Sequence, residues 1–210
     1  MSYNFRKRKK RIVFLGDSIT RQGKQSGGYI NKLQEYLVNE NLDLKYELIG
    51  SGVDGNKVTD IFNRVDEDVL SSGAEIVVIY IGINDVWHKQ TNAGTDADTF
   101  KETYIELIEK LKAIGIKMML CTLSVIGERL DLANEQDADV ELYSTLIREL
   151  AETYELPLID LRNAFVKFNQ ENNVSNFPYG ILTNDAVHLN NNGNQLVAQE
   201  VWKILYPTIS

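Results

Sequence analysis

Short apolar runs of strand length alternate with longer segments of helical period along this chain of 210 residues. That alternation restricts the fold more than any other feature. Arg11–Leu15, Tyr46–Ile49, Glu75–Ile81, Lys117–Leu123 and Pro157–Leu161 read as five strands. Glu75–Ile81 is the clearest central one, because a run that is apolar and β-branched on both faces needs cover on both sides. Between the strands, apolar residues recur at the three- and four-residue spacing of a buried helical stripe. Examples are Tyr29, Ile30, Leu33 and Leu37, then Val58, Ile61, Phe62 and Val65, then Phe100, Tyr104, Leu107, Ile108 and Leu111. Further stripes run through Tyr143, Leu146, Ile147 and Leu150, and through Leu196, Val197, Val201 and Leu205. Strands separated by helices require right-handed crossovers, so the expected fold is a mostly parallel five-stranded sheet covered on both faces. No element is assigned to 86–97, 125–139 or 167–183. Residues 1–10 are expected to form a basic tail and 11–210 a single domain.

Charge and composition narrow the partners. The net charge is −8, with 43% hydrophobic and 25% charged residues, which suits a globular protein and argues against nucleic acid as the main partner. The basic run Arg6-Lys7-Arg8-Lys9-Lys10-Arg11 is the local exception, read as a solvated tail. The apolar stretch behind it, Ile12-Val13-Phe14-Leu15, is too short for the core of a secretion signal, so a cytoplasmic location is expected. No segment approaches the ~20 apolar residues of a membrane span, and no membrane insertion is expected. Cys121 stands alone inside an apolar strand, which reads as core. Two histidines and one cysteine make no metal-binding pattern. No heptad pattern speaks to oligomeric state.

In an open parallel sheet, chemistry gathers beyond the carboxyl ends of the strands. Three segments lie there: Gly16-Asp17-Ser18 after the first strand, Ser51-Gly52-Val53-Asp54-Gly55-Asn56 after the second, and Gly82-Ile83-Asn84-Asp85 after the third. Ser18 is either an exposed nucleophile or the N-cap of a following helix. The glycines serve a turn, or let a backbone N–H approach an anion. The Asn84 amide either donates to a developing oxyanion or closes a turn. Far downstream, Asp185 precedes His188 by three residues, a spacing that lets a carboxylate hold the imidazole as a general base. Asp85 precedes His88 by the same interval, so spacing alone does not exclude His88 as the base. Asp17, Asp85, Trp87 and His88 are weaker candidates for substrate contact, Asp85 also for fixing its own loop.

Taken in order, Gly16-Asp17-Ser18, Gly55, Gly82-x-Asn84-Asp85 and Asp185-x-x-His188 resemble the four signature blocks of the SGNH (GDSL-type) hydrolase family. The resemblance implies a flavodoxin-like three-layer α/β/α fold and ester hydrolysis without a cofactor. It assigns Ser18 as nucleophile, His188 as base and Asp185 as its orienting partner. Ser18, Gly55 and Asn84 become the oxyanion donors, with Gly52 as the alternative to Gly55. Ile19-Thr20 departs from the Leu-Ser common in the family. The expected partner is a small-molecule ester. The polar segment 87–97 favours short acyl groups, acetyl above all, on carbohydrate or a small polar alcohol. A lysophospholipase or thioesterase is the alternative. A non-catalytic ligand-binding module on the same fold is a further class. A phosphate-accepting domain built on Asp17 would need a second carboxylate beside it, and none follows the first strand.

Overall fold

The computed structural model describes residues 8–131 and 133–210. Five strands form one all-parallel sheet: β1 (Lys10–Gly16), β2 (Tyr46–Gly52), β3 (Ala74–Tyr80), β4 (Lys117–Cys121) and β5 (Leu158–Ile159). Their order is β2-β1-β3-β4-β5. The order reverses between β1 and β3, which is the flavodoxin-like switch point where such sheets open a crevice. Ile12, Val13, Phe14 and Leu15 of β1 and Val77, Val78 and Ile79 of β3 are fully buried, so both sheet faces are covered.

Eight α-helices surround the sheet among the described residues: α1 (Ser18–Gly23), α2 (Tyr29–Asn39), α3 (Val58–Val65), α4 (Ile83–Trp87), α5 (Ala97–Ala113), α6 (Asp137–Thr153), α7 (Leu161–Asn172) and α8 (Asn191–Ile209). They pack as two groups, α1, α2, α7 and α8 in one and α3, α4, α5 and α6 in the other. The long helices α2, α5, α6 and α8 turn mainly apolar stripes inward, for example Phe100, Tyr104, Leu107, Ile108 and Leu111 of α5. The result is a three-layer α/β/α arrangement, as the alternation of runs requires.

Several boundaries differ from those expected. Residues 1–7 of the basic tail lie outside the described residues, and Lys10 already belongs to β1. β2 runs three residues further, to Gly52, because each added residue finds a partner on β1: Gly50 on Phe14, Ser51 on Leu15 and Gly52 on Gly16. β5 is only Leu158–Ile159, since Asp160 turns its carboxylate onto the Asn163 N–H and caps α7. Leu161, expected as the end of a strand, is instead the first residue of that helix.

Candidate active site

Gly16 ends β1 between Gly52 of β2 and Tyr80 of β3. A Cβ at Gly16 would collide with the Thr20 hydroxyl and the Tyr80 carbonyl, so only glycine lets the chain turn there. The next residue, Asp17, is the N-cap of α1 and accepts the Ile19 N–H at 2.9 Å. The cap is therefore Asp17, and Ser18 occupies the first helical position. At that position backbone N–H groups have no acceptor within the helix.

Ser18 is 6% exposed, and its Oγ lies 3.0 Å from Nε2 of His188. The other ring nitrogen, Nδ1, lies 2.7 Å from Oδ2 of Asp185. The segment that brings this histidine across 170 positions of sequence is a closed turn. A bridge between Thr183 and Leu189 pinches its base, and Asn184 N–H donates to the His188 carbonyl at 2.8 Å. Asp185 Oδ1 accepts the backbone N–H groups of Val187 and His188 at 3.1 and 2.7 Å. One carboxylate thus fixes both the turn and the ring. Partial burial raises the Asp185 pKa, but the hydrogen bonds from the His188 ring and the two backbone donors outweigh it and hold the group below its ordinary value. The Trp87 ring meets the His188 ring edge-on, centroids 6.0 Å apart.

Gly55 lies in the turn after β2 with φ +73, a conformation that glycine adopts without strain. It lines an open cleft of about 370 Å³ together with Ser18, Asn84, Trp87, His88 and His188. Gly52 does not line it: a Cβ there would collide with the Arg21 nitrogen and the Asp17 carbonyl, so the residue faces the start of α1. Asn84 sits in the first turn of α4 and donates from Nδ2 to the Asn56 carbonyl at 3.0 Å, which orients its amide at the floor of the cleft. Arg21 and Asp54 pair across the outer rim.

The weaker candidates divide. Trp87 and His88 line the cleft. Asp17 and Asp85 do not contact it; they are 2% and 0% exposed and act from below. The Asp85 carboxylate accepts the Val58 N–H that opens α3, at 3.1 and 3.3 Å, and is thereby taken away from His88. Burial pushes Asp17 up to about 7, opposed by the Ile19 N–H and aided by the negative Asp85 nearby. Burial likewise pushes Asp85 up to about 6. Cys121 is buried, as its place in an apolar strand implies, and burial raises its thiol pKa.

Two residues that the sequence did not single out hold this arrangement. Arg64 donates to the Gly16 carbonyl at 2.7 Å and to Ser51 Oγ at 3.1 Å, tying together the ends of β1 and β2. Glu128, 1% exposed, accepts the backbone N–H groups of Ile181, Leu182 and Thr183 and the Thr183 hydroxyl. Its carboxylate anchors the segment that carries Asp185 and His188. Gly127 N–H adds a bond to the carbonyl of Ala186, a residue held at φ +80. Among the described residues, no group of three or more His, Cys, Asp or Glu side chains could hold a metal ion.

The chain has relatives of known kind. The pattern of the GDSL-like lipase/acylhydrolase family matches residues 14–196, nearly the whole chain and all of the site. The chain belongs to this family. It is a carboxylic ester hydrolase. A crystal structure of an acetyl xylan esterase, AlAXEase, is 47% identical, with a TM-score of 0.90 over 92% of this chain and 98% of that one. The acetylxylan esterase of Geobacillus stearothermophilus is 26% identical over 175 residues, 74% of this chain and 78% of that protein. The crystal structure of Axe2, an acetylxylan esterase from the same organism, at 23% identity superposes with a TM-score of 0.82 over 93% of this chain and 94% of that one, a likeness of fold.

Proposed function

We propose that this chain is a serine esterase that removes acetyl groups from carbohydrate through an acyl-enzyme. The observation that carries it is the relay of two short contacts, Ser18 Oγ to His188 Nε2 at 3.0 Å and His188 Nδ1 to Asp185 at 2.7 Å, opening onto a cleft. The acetyl and carbohydrate parts draw on the 47% identity to an acetyl xylan esterase. The cleft agrees with them: it is open, and Arg21, Gln22, Asp54 and His88 bring polar groups to its lining. A lysophospholipid or a long thioester would need a continuous apolar groove, which this lining does not supply.

In the proposed reaction, Nε2 takes the Ser18 proton as Oγ attacks the acetyl carbonyl. Asp185 stabilises the imidazolium and keeps its ring in place. The tetrahedral oxyanion is held by the backbone N–H groups of Ser18 and Gly55 and by the Asn84 amide. Nε2–H then protonates the departing sugar hydroxyl. Water repeats the cycle on the acetyl-serine and releases acetate. Asn84 is pre-oriented by the Asn56 carbonyl, so its amide needs little reorganisation as charge develops.

The test is acetate release from acetylated xylo-oligosaccharides and turnover of p-nitrophenyl esters of increasing chain length. The wild type is expected to release acetate from the sugars and to favour two-carbon acyl groups. Ser18→Ala is expected to do neither. A rate that peaks at long acyl chains, with no sugar deacetylation, would overturn the proposal.

A further inference from the structure

A second open cleft, about 290 Å³, adjoins the first. Gln22 lines both, and Asn184 and Leu189, which flank the Asp185–His188 pair, line the second. Among the described residues that form it there is no Lys, Arg, Asp or Glu and no aromatic ring; its polar atoms are carboxamides, one serine hydroxyl and backbone.

The amides fall into two sets. Asn184, Asn190 and Asn194 are committed to the frame, Asn184 Nδ2 donating to the Leu189 carbonyl at 3.1 Å. Asn190 Oδ1 accepts the N–H groups of Asn192 and Gly193, capping α8, and Asn194 Oδ1 accepts the Tyr29 N–H at 2.9 Å. The latter bond ties the start of α2 to α8, so the two walls of the cleft are locked together. The other set is Gln22, Gln25, Ser26 and Asn191. Among the described residues, none of these four makes a side-chain hydrogen bond to protein. Gln25 and Ser26 sit in a turn fixed by Gln25 N–H to the Gln22 carbonyl and Gly28 N–H to the Gln25 carbonyl, both 2.9 Å. The frame is cross-linked by these bonds, and the uncommitted side chains of Gln25, Ser26 and Asn191 are exposed.

Such a lining selects its ligand. Each carboxamide offers a donor pair beside an acceptor, which matches neighbouring hydroxyls that both donate and accept. An anion would want a cation or free helix N–H groups, but the lining holds no cation and Asn190 already occupies the first N–H groups of α8. An acyl chain would want apolar walls. The reaction supplies the direction: Nε2 of His188 must reach the leaving oxygen, so the alcohol part of the ester lies on the His188 side, and Asn184 and Leu189 of the same turn line this cleft.

We propose that the amide-lined cleft is a glycan subsite that receives the sugar unit next to the acetylated one in a neutral oligosaccharide. Gln22, Gln25 and Asn191 hydrogen-bond its hydroxyls. The subsite makes oligosaccharide esters better substrates than small acetyl esters, and it rests on the carbohydrate reading of the Ser18 site.

Gln25→Ala, Asn191→Ala and the double variant test it, since both positions are exposed and neither belongs to the catalytic relay. The substrates are acetylated xylotriose, acetylated xylose and p-nitrophenyl acetate. Each single variant is expected to lose about three- to tenfold in kcat/KM on the trisaccharide, the size of one lost hydrogen bond, with the change in KM. Turnover of p-nitrophenyl acetate and the melting temperature are expected to stay as in the wild type. Equal losses on all three substrates, or none on the trisaccharide, would overturn the subsite while leaving the esterase reading intact. A wild type that hydrolyses p-nitrophenyl acetate but no acetylated sugar would overturn the carbohydrate reading and the subsite with it.

Discussion

Both histidines of this chain follow an aspartate by three residues, yet Asp185 and Asp85 have opposite surroundings. Asp185 sits on a surface turn with its side chain 52% exposed and keeps one oxygen for the His188 ring. Asp85 is wholly buried in α4, where the Val58 N–H takes its carboxylate. Three-residue spacing brings two side chains onto one side of a turn, but a buried backbone donor competes for the acceptor, and leaving that donor unpaired is expensive. Among the described residues, His88 therefore lines the cleft with no carboxylate hydrogen-bonded to its ring, while His188 has one. Burial also separates the two acids electrically. It drives Asp85 up to about 6, whereas hydrogen bonds hold Asp185 below its ordinary value.

Replacing the histidines separates the two regions most sharply. His188→Ala is expected to lower kcat on p-nitrophenyl acetate by about 10⁴-fold or more, since in the proposed mechanism nucleophile and base act as a unit. His88→Ala should change it by less than about fivefold, the range of a single substrate hydrogen bond. The aspartates come next. Asp185→Asn is expected to cost about 10³-fold in kcat. A buried orienting aspartate is worth about 10⁴, and here the turn can still accept its backbone donors through the asparagine oxygen. Asp85→Asn should leave kcat within about tenfold, because it acts on Val58 and not on a ring. At the junction between them, Asn84→Ala removes one proposed oxyanion donor and is expected to lower kcat by about 10²–10³-fold.

Smaller effects probe how the His188 side is held. Glu128→Gln places an amide opposite three backbone donors and is expected to destabilise the fold by about 1–3 kcal/mol, read from chemical denaturation. It should also lower kcat with KM little changed. The smallest effect is the pH dependence of stability. Asp17 and Asp85 are raised to about 7 and about 6, so the folded chain binds their protons more tightly than the unfolded one. Their contribution is fully present below the ordinary aspartate value and is lost as pH rises through 6 and 7. Asp185, held low, contributes above the ordinary value and loses it as pH falls. Thermal melts from about pH 5 to about pH 8 should therefore show a falling midpoint, and Asp85→Asn should flatten that fall.

The parts of this contrast that sequence could supply were those that depend on local pattern. Strand and helix alternation located all five strands, because burial on both sheet faces demands uninterrupted apolar runs such as Ile12-Val13-Phe14-Leu15. The blocks around Ser18, Gly55, Asn84 and His188 were visible because each has a fixed residue type at a strand end or in a turn, and the structure gathers them at one cleft. α7 was invisible to an apolar count, since two of its four buried residues are Arg162 and Asn169. Arg162 is buried because Asp137 and Glu141 of α6 pair with it, a relation between distant segments. Glu128 escaped for the same reason: its partners are backbone N–H groups 53–55 residues later, and any residue type supplies those. Spacing alone left Asp85–His88 as a rival pair and the order of the blocks favoured His188; the physical reason, the Val58 N–H on the Asp85 carboxylate, lies in a contact between distant segments.

The central claim is that His188, not His88, activates Ser18. Intact-mass and peptide mass spectrometry after exposure to an organophosphonate ester measures it directly, because the reagent bonds only to an activated serine hydroxyl. One adduct is expected on Ser18, formed at similar rates in the wild type and in His88→Ala and lost in His188→Ala. Labelling of Ser18 that survives in His188→Ala and disappears in His88→Ala would contradict the account.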